Sequence, residues 1–543
     1  LIPARLFAEN ESVLGYGHQQ FQHILVDEYQ DTNRIQYQLI NLLATNGETN
    51  KNNLKWENRS IFVVGDADQS IYSFRMADFT ILLEFQEDFG DSLPDDDTRT
   101  MVKLEENYRS RENILEAANT LIEKNSERID KILKPTRGYG EEIYCYKAEN
   151  EIEEARFVRQ QLLNLTRENP ELEWGDFAIL YRTNAQSRVL EEAIRADIPY
   201  HIVGGLKFYD RKEIKDALAY LRLLTNPNDT VSLLRVINTP RRGIGQKTLD
   251  QLISASQELN VPLWEIISDE TSVNTLAGRA AKSVNQFAHL IKQYQANLEH
   301  LPAAEILDGL LDASNYREDL QNQGTEEAEN RLENLKELDS AMMQFAEENE
   351  DSSLESFLAN ASLASDLDNL NEGEEKISLM TLHAAKGLEF PVVFMVGLEQ
   401  GLFPNRQALD DPASLEEERR LCYVGITRAQ EQLFLSYAQE RRLWGSREPA
   451  IPSQFLQELP EDLINHSSPP IKPRRPQNNY QTTKTVQPSS HNWEVGDRVF
   501  HDTFGEGSVT HVLGSGNKIN LAIEFPGLGR KIIDPKIARL QVL

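Results

Sequence analysis

The sequence is poor in cysteine, in long apolar runs and in positive charge. Its two cysteines, Cys145 and Cys422, lie far apart, fit no metal-ligand spacing and are expected to be reduced thiols. No apolar run approaches the roughly 20 residues that span a bilayer, and no signal peptide is recognised, so we expect a cytoplasmic protein without a membrane partner. The net charge of −31 argues against a nonspecific nucleic-acid coat, but it does not exclude strand binding in a local groove.

A glycine-rich phosphate loop ending in Gly-Lys-Ser/Thr is also missing. Residues 245–248, Gly-Gln-Lys-Thr, are superficially similar, but they lack the Gly-Lys pair and a preceding strand. The first residue is Leu1 rather than Met. Together with the missing loop, this leads us to expect an N-terminally incomplete chain.

The most informative segment that is present is 24–33, Ile-Leu-Val-Asp-Glu-Tyr-Gln-Asp-Thr-Asn. An apolar run ends in two adjacent carboxylates, as when a buried parallel strand delivers acids to the carboxyl edge of a sheet. Asp27 there is a candidate ligand of Mg²⁺ on a nucleotide, and Glu28 is a candidate to orient or deprotonate the attacking water. Taken alone, such a pair is as often a solvated strand end.

A second strand candidate leads into residues 64–75, Val-Gly-Asp-Ala-Asp-Gln-Ser-Ile-Tyr-Ser-Phe-Arg. Gln69 is placed to hydrogen-bond a phosphate oxygen or the attacking water. Tyr72, Phe74 and Arg75 follow, and exposed aromatics beside an arginine form a platform for stacked bases. The alternative is that the two rings belong to the core, which is the usual fate of aromatic side chains.

Three further motifs follow in order along the chain. Residues 104–110 read Leu-Glu-Glu-Asn-Tyr-Arg-Ser, and residues 379–390 contain Thr-Leu-His-Ala-Ala-Lys-Gly-Leu-Glu-Phe. Residues 417–429 contain Tyr-Val-Gly-Ile-Thr-Arg-Ala. With the two segments above, these motifs resemble those of superfamily 1 DNA helicases of the UvrD/PcrA/Rep type, with 24–33 matching the Walker B segment.

The resemblance implies a 3′→5′ single-stranded-DNA translocase and helicase that hydrolyses ATP with Mg²⁺ and acts on single strands and single/double-strand junctions. It assigns Arg109 to the γ-phosphate, Glu389 to the nucleotide sugar and Arg428 to the role of arginine finger. Surface ion pairs are the alternative for both arginines. A planar, permanently charged fork suits their phosphate role.

The same resemblance places Thr381, His383 and Lys386 near the DNA strand. It also shows two departures: Phe74 stands where the family usually has Trp, and Met76 stands where it has Gly. A phenylalanine still stacks on a base, over less area. The family resemblance does not indicate what Met76 does.

A weaker motif at residues 238–245, Asn-Thr-Pro-Arg-Arg-Gly-Ile-Gly, is a Gly-x-Gly turn flanked by arginines. Backbone amides at such a turn bind duplex phosphate, so Arg241, Gly243 and Gly245 are DNA-binding candidates. An ordinary solvated turn is an equal alternative.

The 543 residues, of which 40% are hydrophobic, imply three or four domains in an α/β fold. The resemblance makes the α/β parts RecA-like motor domains, the first of them partial. Strands are predicted at 24–26, 61–64, 143–146, 177–181, 200–203, 377–381, 392–396 and 433–436. Helices are predicted at 74–89, 214–224 and 324–345.

The domain division follows from the spacing of these elements. We predict a remnant of a helical insertion (1–22), a partial first motor domain (23–102), a second motor domain (103–205 and 376–465), an inserted helical domain (206–375), a disordered linker (466–490) and a five-stranded β-barrel (491–543). The barrel resembles the Tudor-like tail of the family, which contacts RNA polymerase.

Two other functions remain open at this stage. A non-catalytic module that binds single strands or RNA polymerase would account for the missing loop. A helicase–nuclease subunit is disfavoured, because no Asp/Glu/Lys cluster of nuclease type follows the motor motifs.

Overall fold

A computed structural model defines the fold. The structure describes residues 1–91, 93, 97–298, 300–367, 375–443, 446–466, 493, 495–501, 505–515, 518–525, 529–533 and 540–542. Two compact units divide the chain, Leu1–Ile471 and Lys472–Leu543. Within the described residues, every helix is too short or too polar to cross a membrane.

The first α/β segment (residues 23–102) contains a two-stranded parallel sheet. The elements up to its end are α1 (Ile2–Glu9), α2 (Glu11–Gln20), β1 (His23–Val26), α3 (Arg34–Thr45), β2 (Ser60–Val63) and α4 (Thr80–Asp88). Strands β1 and β2 pair in parallel, with Val26 opposite Val63, so both strands end at the same edge. Their prediction at 24–26 and 61–64 is confirmed.

The predicted helix at 74–89 is wrong at its start, because α4 begins only at Thr80. Residues Ser73–Arg75 form a single 3₁₀ turn, and Met76 then adopts the left-handed conformation with φ 63°. Phe79 is the N-cap of this helix, and the Asp78 carboxylate accepts the Thr80 amide at 3.1 Å just before it. A left-handed residue interrupts a helix, and helical periodicity does not reveal it.

The second α/β segment (103–205 and 376–465) contains a seven-stranded parallel sheet. Its elements are β3 (Glu106–Asn107), α5 (Glu112–Ile122), β4 (Lys134–Pro135), β5 (Ile143–Ala148), α6 (Glu151–Glu168), β6 (Phe177–Tyr181), α7 (Ser187–Ile194), β7 (Tyr200–Ile202) and, after the helical segment, the further strands and helices given below. Strands β5, β6 and β7 belong to this sheet, and its other four strands follow the helical segment in the chain. All five residues of the central β6 are buried, as expected for a parallel strand covered on both faces.

A helical segment (206–375) lies between β7 and β8. It consists of α8 (Lys212–Thr225), α9 (Thr230–Val236), α10 (Gln246–Leu259), α11 (Leu263–Ser268), α12 (Glu270–Leu276), α13 (Ala281–Gln295), α14 (Ala303–Ala313), α15 (Tyr316–Gln323), α16 (Glu326–Glu348) and α17 (Leu354–Leu367). These helices share one apolar core. The helices predicted at 214–224 and 324–345 correspond to α8 and α16.

The chain then returns to the parallel sheet. This part contains β8 (Ile377–Thr381), β9 (Phe390–Met395), α18 (Pro412–Ile426), β10 (Ala429–Ala438), β11 (Glu440–Leu443), β12 (Ser446–Pro449), α19 (Gln454–Gln457) and β13 (Ile464–Asn465). Strands β6 and β8 have the predicted bounds, and the other strands predicted for this sheet are confirmed within a few residues. The order of strands in the sheet is β13-β5-β10-β9-β6-β8-β7. The sheet therefore joins two stretches of chain that the helical segment separates.

The C-terminal unit contains a five-stranded antiparallel sheet, which confirms the predicted number of strands. They are β14 (Arg498–His501), β15 (Gly505–Ser515), β16 (Lys518–Phe525), β17 (Gly529–Ile533) and β18 (Leu540–Val542), in the order β17-β16-β15-β14-β18. Val499, Leu521 and Ile523 are fully buried in its core. The predicted linker at 466–490 lies, from residue 467 onward, outside the described residues.

Candidate functional site

The ends of β1 and β2 meet in one polar cluster. Asp27 and Glu28 directly follow β1 and are exposed, and the Asp27 Oδ1 accepts the Glu28 amide at 2.9 Å. Gln30 donates to the Glu28 carboxylate and accepts the Asp66 amide at 3.0 Å. One glutamine thus ties the acidic end of β1 to the loop that follows β2.

The loop after β2 holds Gln69 against an acid. The Gln69 Nε2 donates to the Asp66 Oδ2 at 2.8 Å, and Lys131 of the second α/β segment donates to the other Asp66 oxygen. Gly65 leaves room for the Gln30 side chain that accepts the Asp66 amide, because a Cβ there would lie 2.6 Å from the Gln30 Oε1. Gln69 and Gln30 are thus both bonded to Asp66, Gln69 to its carboxylate and Gln30 to its amide.

Lys386 links the two α/β segments. Its Nζ lies 2.6 Å from the Asp31 Oδ2, donates to the Gln69 carbonyl at 2.9 Å and lies 3.6 Å from the Glu28 Oε2. Its side chain is 6% exposed. Burial raises the pKa of Asp31, and the Lys386 ammonium opposes that shift. The family resemblance predicts Lys386 near the DNA strand and does not identify Asp31 as its partner. In the structure, the ammonium is directed to the first α/β segment.

Arg109 and Glu389 form a partly exposed ion pair. The Arg109 Nε lies 2.5 Å from the Glu389 Oε2, and Gln430 donates to the other Glu389 oxygen at 2.9 Å. The hydrogen bond from Arg109 holds the pKa of Glu389 below its usual value. These two predicted nucleotide contacts, 280 residues apart in sequence, are therefore neighbours.

Arg428 is buried without a carboxylate partner. Its side chain donates to the carbonyls of Val424 at 2.9 Å and Leu388 at 3.0 Å, and to the Thr427 hydroxyl at 3.1 Å. It is 1% exposed, and no carboxylate of the described residues lies within ion-pair distance. Burial, with repulsion from Arg109, lowers the pKa of Arg428 to about 10.

The charges of both segments act on this guanidinium. Glu389 and Asp66 oppose the lowering of the Arg428 pKa, so a carboxylate from each segment contributes to the field at Arg428. The structure thus brings Arg109, Glu389 and Arg428 close to the loop that carries Gln69. An anion between the two arginines would compensate their mutual repulsion.

A cluster of aromatic rings lies on the same loop. The Tyr72 and Phe74 centroids are 5.8 Å apart, and the His383 ring is 5.5 Å from Phe74. The Tyr72 hydroxyl donates to the His383 carbonyl at 3.2 Å. Arg75 lies 4.9 Å from the Tyr72 ring centroid. Phe74 is 44% exposed, so the ring at the position of the family Trp is not a core residue.

His383 is kept neutral in this cluster. Burial, together with the charges of Arg182 and Arg75, lowers its pKa to about 3. Thr381 ends β8, and its hydroxyl accepts the Ala384 amide at 3.3 Å. A neutral imidazole next to exposed rings provides a stacking surface with both a hydrogen-bond donor and an acceptor.

One short segment connects the aromatic cluster to the partners of Arg109 and Arg428. Strand β8 ends at Thr381 and β9 begins at Phe390, and both run parallel to β6. Residues 382–389 therefore cross from the carboxyl edge of the sheet to its amino edge. His383 lies near the start of this crossing and Glu389 at its end.

The Gly-x-Gly turn lies apart, in the helical segment between α9 and α10. Gly243 has φ 75°, Gly245 caps α10, and no atom lies within 4 Å of a Cβ added at either glycine. Arg241 is exposed. Arg242 instead donates to the Tyr220 hydroxyl at 2.6 Å and to carbonyls of its own turn, which fixes the turn.

Several positioning residues were missed by sequence reasoning. Glu417 accepts the Ser73 amide at 3.0 Å, and the buried Asp68 pairs with Arg128 at 2.9 Å. Glu417 stands inside a motif that was quoted from the sequence, and Asp68 adjoins Gln69, but neither carries a spacing that reveals its partner. Both contacts join the first α/β segment to the second.

The sequence matches three described families along its length. Residues 1–90 match the UvrD/REP helicase N-terminal domain, residues 102–440 match the UvrD-like helicase C-terminal domain, and residues 495–538 match the PcrA/UvrD tudor domain. These matches cover the residues of the polar cluster and of the aromatic rings, and four of the five strands of the C-terminal sheet.

Curated relatives match almost the entire chain. DNA helicase II of Haemophilus influenzae is 42% identical over 545 residues, which is 99% of this chain and 72% of the relative. The ATP-dependent DNA helicase PcrA of Staphylococcus aureus is 41% identical over 551 residues, with the same coverage. DNA helicase II of Escherichia coli is 41% identical over 540 residues, again covering 99% and 72%.

Proposed function

Because the chain belongs to the UvrD/PcrA-type superfamily 1 helicases, we propose that it is the motor of an ATP-dependent 3′→5′ DNA helicase and single-strand translocase. Its substrates would be ATP with Mg²⁺ and single-stranded DNA, including junctions with duplex. The function would serve DNA repair or replication.

The buried Arg428 is the observation that supports this proposal most strongly. Its guanidinium is taken out of water without a carboxylate partner among the described residues, and a neighbouring arginine repels it. Burying an uncompensated charge is costly. A γ-phosphate supplies the missing negative charge, and the fork of an arginine stabilises the charge of the transition state.

The residues at the end of β1 fit a magnesium nucleotide. One oxygen of the exposed Asp27 accepts a backbone amide, and the carboxylate is the kind of hard oxygen ligand that Mg²⁺ takes together with waters and substrate phosphates. When bound, the ion neutralises charge on the phosphates. Glu28, beside Asp27, would orient and deprotonate water, and Gln69 would hold the phosphate or that water.

The aromatic cluster is the proposed strand platform. Phe74 and Tyr72 would stack on bases, Arg75, Thr381 and the neutral His383 would contact the strand, and each stacked base contributes roughly 1–3 kcal/mol. Lys386 would support this strand platform by holding the loop that carries Gln69, through its bonds to Asp31 and to the Gln69 carbonyl. The crossing segment 382–389 would transmit nucleotide state to the platform.

The proposed domain division follows the predicted bounds. The motor domains would comprise 23–102 and 103–205 with 376–465, the inserted domain 206–375, and residues 1–22 would belong to a further helical insertion. Arg241, Gly243 and Gly245 would hold duplex phosphate from the inserted domain. A linker at 466–490 would connect the Tudor-like unit at 491–543, whose proposed partner is RNA polymerase.

The decisive test concerns turnover. The 543 residues contain no Gly-Lys-Ser/Thr loop, so we expect no DNA-stimulated hydrolysis by them alone. In a protein that joins them to a segment carrying such a loop, Arg428→Ala should reduce turnover by about 10³-fold or more and nucleotide binding much less. Arg428→Lys should not restore turnover fully, because a point charge lacks the fork.

Two outcomes would contradict the proposal. Equal losses in binding and turnover in Arg428→Ala would exclude the finger role. Strand binding without any turnover in the joined protein would favour the alternative function, a non-catalytic module that binds single strands or RNA polymerase. Arg167→Ala, on the exposed end of α6, is the matched control and should change neither quantity.

A further inference from the structure

A cavity of about 450 Å³ lies between the second α/β segment and the helical segment. Helices α6 and α7 form one wall, and the end of α16 with α17 forms the other. The volume is within the roughly 300–1,000 Å³ range of small-molecule sites. None of the residues proposed for the motor lines it.

The charged side chains that line this cavity are four arginines and two glutamates. Four arginines line it: Arg156, Arg159, Arg188 and Arg195. Arg188 is buried and neutralised by Glu192 at 2.8 Å and Glu337 at 2.6 Å, and Arg159 pairs with Asp197. For Arg156 and Arg195, no carboxylate among the described residues lies within ion-pair distance. Two unneutralised guanidinium groups at one cavity are unusual in a chain with a net charge of −31.

The rest of the lining is apolar and amide-bearing. The rings of Phe345 and Phe357 meet edge to face with centroids 5.6 Å apart, and both line the cavity with Val189. The amides of Gln344 and Asn360 line it as well. Of the lining carboxylates, Glu192 is paired with Arg188. Glu348 accepts only from the neutral amide of Gln344, at 3.1 Å, among the bonds of the described residues, so it keeps its negative charge.

We propose that this cavity binds a nucleoside phosphate. The phosphate would lie against Arg156 and Arg195, because arginine forks match phosphate oxygens. The base would lie on the apolar side near Phe345 and Phe357, with the Asn360 amide at its polar edge. A simple anion would leave this apolar wall unused. Since the walls belong to two segments, the ligand would stabilise their relative arrangement.

The proposal is tested with the 543-residue chain and a fluorescent N-methylanthraniloyl derivative of GDP. The anisotropy titration should show one site per chain. Arg156→Glu combined with Arg195→Glu should weaken binding at least about tenfold, because two charge-assisted contacts to phosphate are reversed. Arg167→Glu is the matched control on the same helix, outside the lining, and should bind like the parent. Arg109→Glu, which reverses a charge at the nucleotide site proposed for the motor, should also retain binding, which separates this site from the motor site.

A second variant tests the cavity without changing charge. Ala196, which lines the cavity and is exposed, becomes a bulky plug in Ala196→Trp and should abolish binding. The nucleotide should raise the melting temperature of the parent chain but not of Ala196→Trp.

Three results would overturn the inference. They are the absence of binding, binding that survives both the double variant and Ala196→Trp, and binding that is lost in Arg109→Glu. Stronger competition by a 5′-phosphorylated oligonucleotide than by unlabelled GDP would instead identify a strand end as the preferred source of the phosphate.

Discussion

Two buried arginines of the second α/β segment have opposite surroundings. Arg441 is bonded to Glu399 at 2.6 and 2.7 Å and to Glu154 at 2.6 Å, and these carboxylates raise its pKa. Arg428, only 1% exposed, has carbonyls and a hydroxyl as its partners, and burial lowers its pKa to about 10. The charge of Arg441 is neutralised by carboxylates of the fold, whereas no carboxylate among the described residues pairs with Arg428.

The difference distinguishes a buried charge that stabilises the fold, Arg441, from a buried charge at the proposed nucleotide site, Arg428. A buried charge with full partners holds elements in register, as Arg441 does between α6 and the chain after β9. A buried charge without a counter-charge lowers stability, and such sites persist where a ligand completes them.

Replacing the two arginines gives the largest expected contrast. Arg441→Met should lower the free energy of unfolding by about 3–5 kcal/mol, because Glu154 and Glu399 would remain buried without a cation. Arg428→Met should lower it by clearly less, about 1–2 kcal/mol, since two carbonyls and a hydroxyl lose a donor but no buried carboxylate loses its cation. Urea unfolding at neutral pH measures both. An equal loss of unfolding free energy in the two variants would show that both arginines stabilise the fold alike.

The pH dependence of His383 sharpens the contrast. Its pKa falls from 6.5 to about 3 on folding, through burial and the charges of Arg182 and Arg75. The unfolded chain binds the His383 proton more tightly than the folded chain does. The neutral His383 therefore makes its full contribution to the free energy of unfolding above about pH 6.5, and this contribution is lost as the pH falls toward 3. Between pH 7.5 and 5.0, the parent should lose about 2 kcal/mol more than His383→Gln. Urea unfolding measures this loss in both proteins. An identical loss between pH 7.5 and 5.0 in the parent and in His383→Gln would contradict a neutral imidazole in the folded state.

The exposed Phe74 should affect binding rather than stability. Phe74→Ala should weaken binding of a single strand by about 1–3 kcal/mol, because one stacking ring is lost. Phe74→Trp should restore or improve binding, since its ring covers more area. A fluorescence titration measures affinity, and a thermal melt of the same variants is the control. Unfolding of Phe74→Ala would place the ring in the core and refute the stacking role.

Met76 should give the smallest effect and one of opposite sign. Its φ of 63° is costly for a residue with a Cβ, whereas glycine adopts it freely. Met76 is 81% exposed, so little packing is lost in Met76→Gly, which should stabilise the chain by up to about 1 kcal/mol in urea unfolding. Met76→Ala is the control, because it removes the long side chain but keeps the Cβ. A gain as large in Met76→Ala would rule out the backbone explanation.

Local patterns in the sequence predicted the strands and the acids that follow them. The run before Asp27 predicted β1, and its end at two carboxylates predicted the polar edge of the sheet. The aromatic positions 72 and 74 were also identified, because their spacing after Gln69 is a local property. The helix predicted at 74–89 failed at its start, since the left-handed Met76 depends on one backbone angle rather than on periodicity.

The amino-acid sequence by itself determined the family, the parallel-sheet architecture and the identity of the candidate site residues, because motifs and apolar runs are written in consecutive positions. Tertiary structure alone decided which charges are paired. Lys386 meets Asp31 across 355 residues of sequence. Arg428 has no carboxylate partner among the described residues although acids are abundant, and Arg156 lines a cavity formed with a distant helix. Pairing and burial depend on distances between remote segments, and no local pattern encodes those distances.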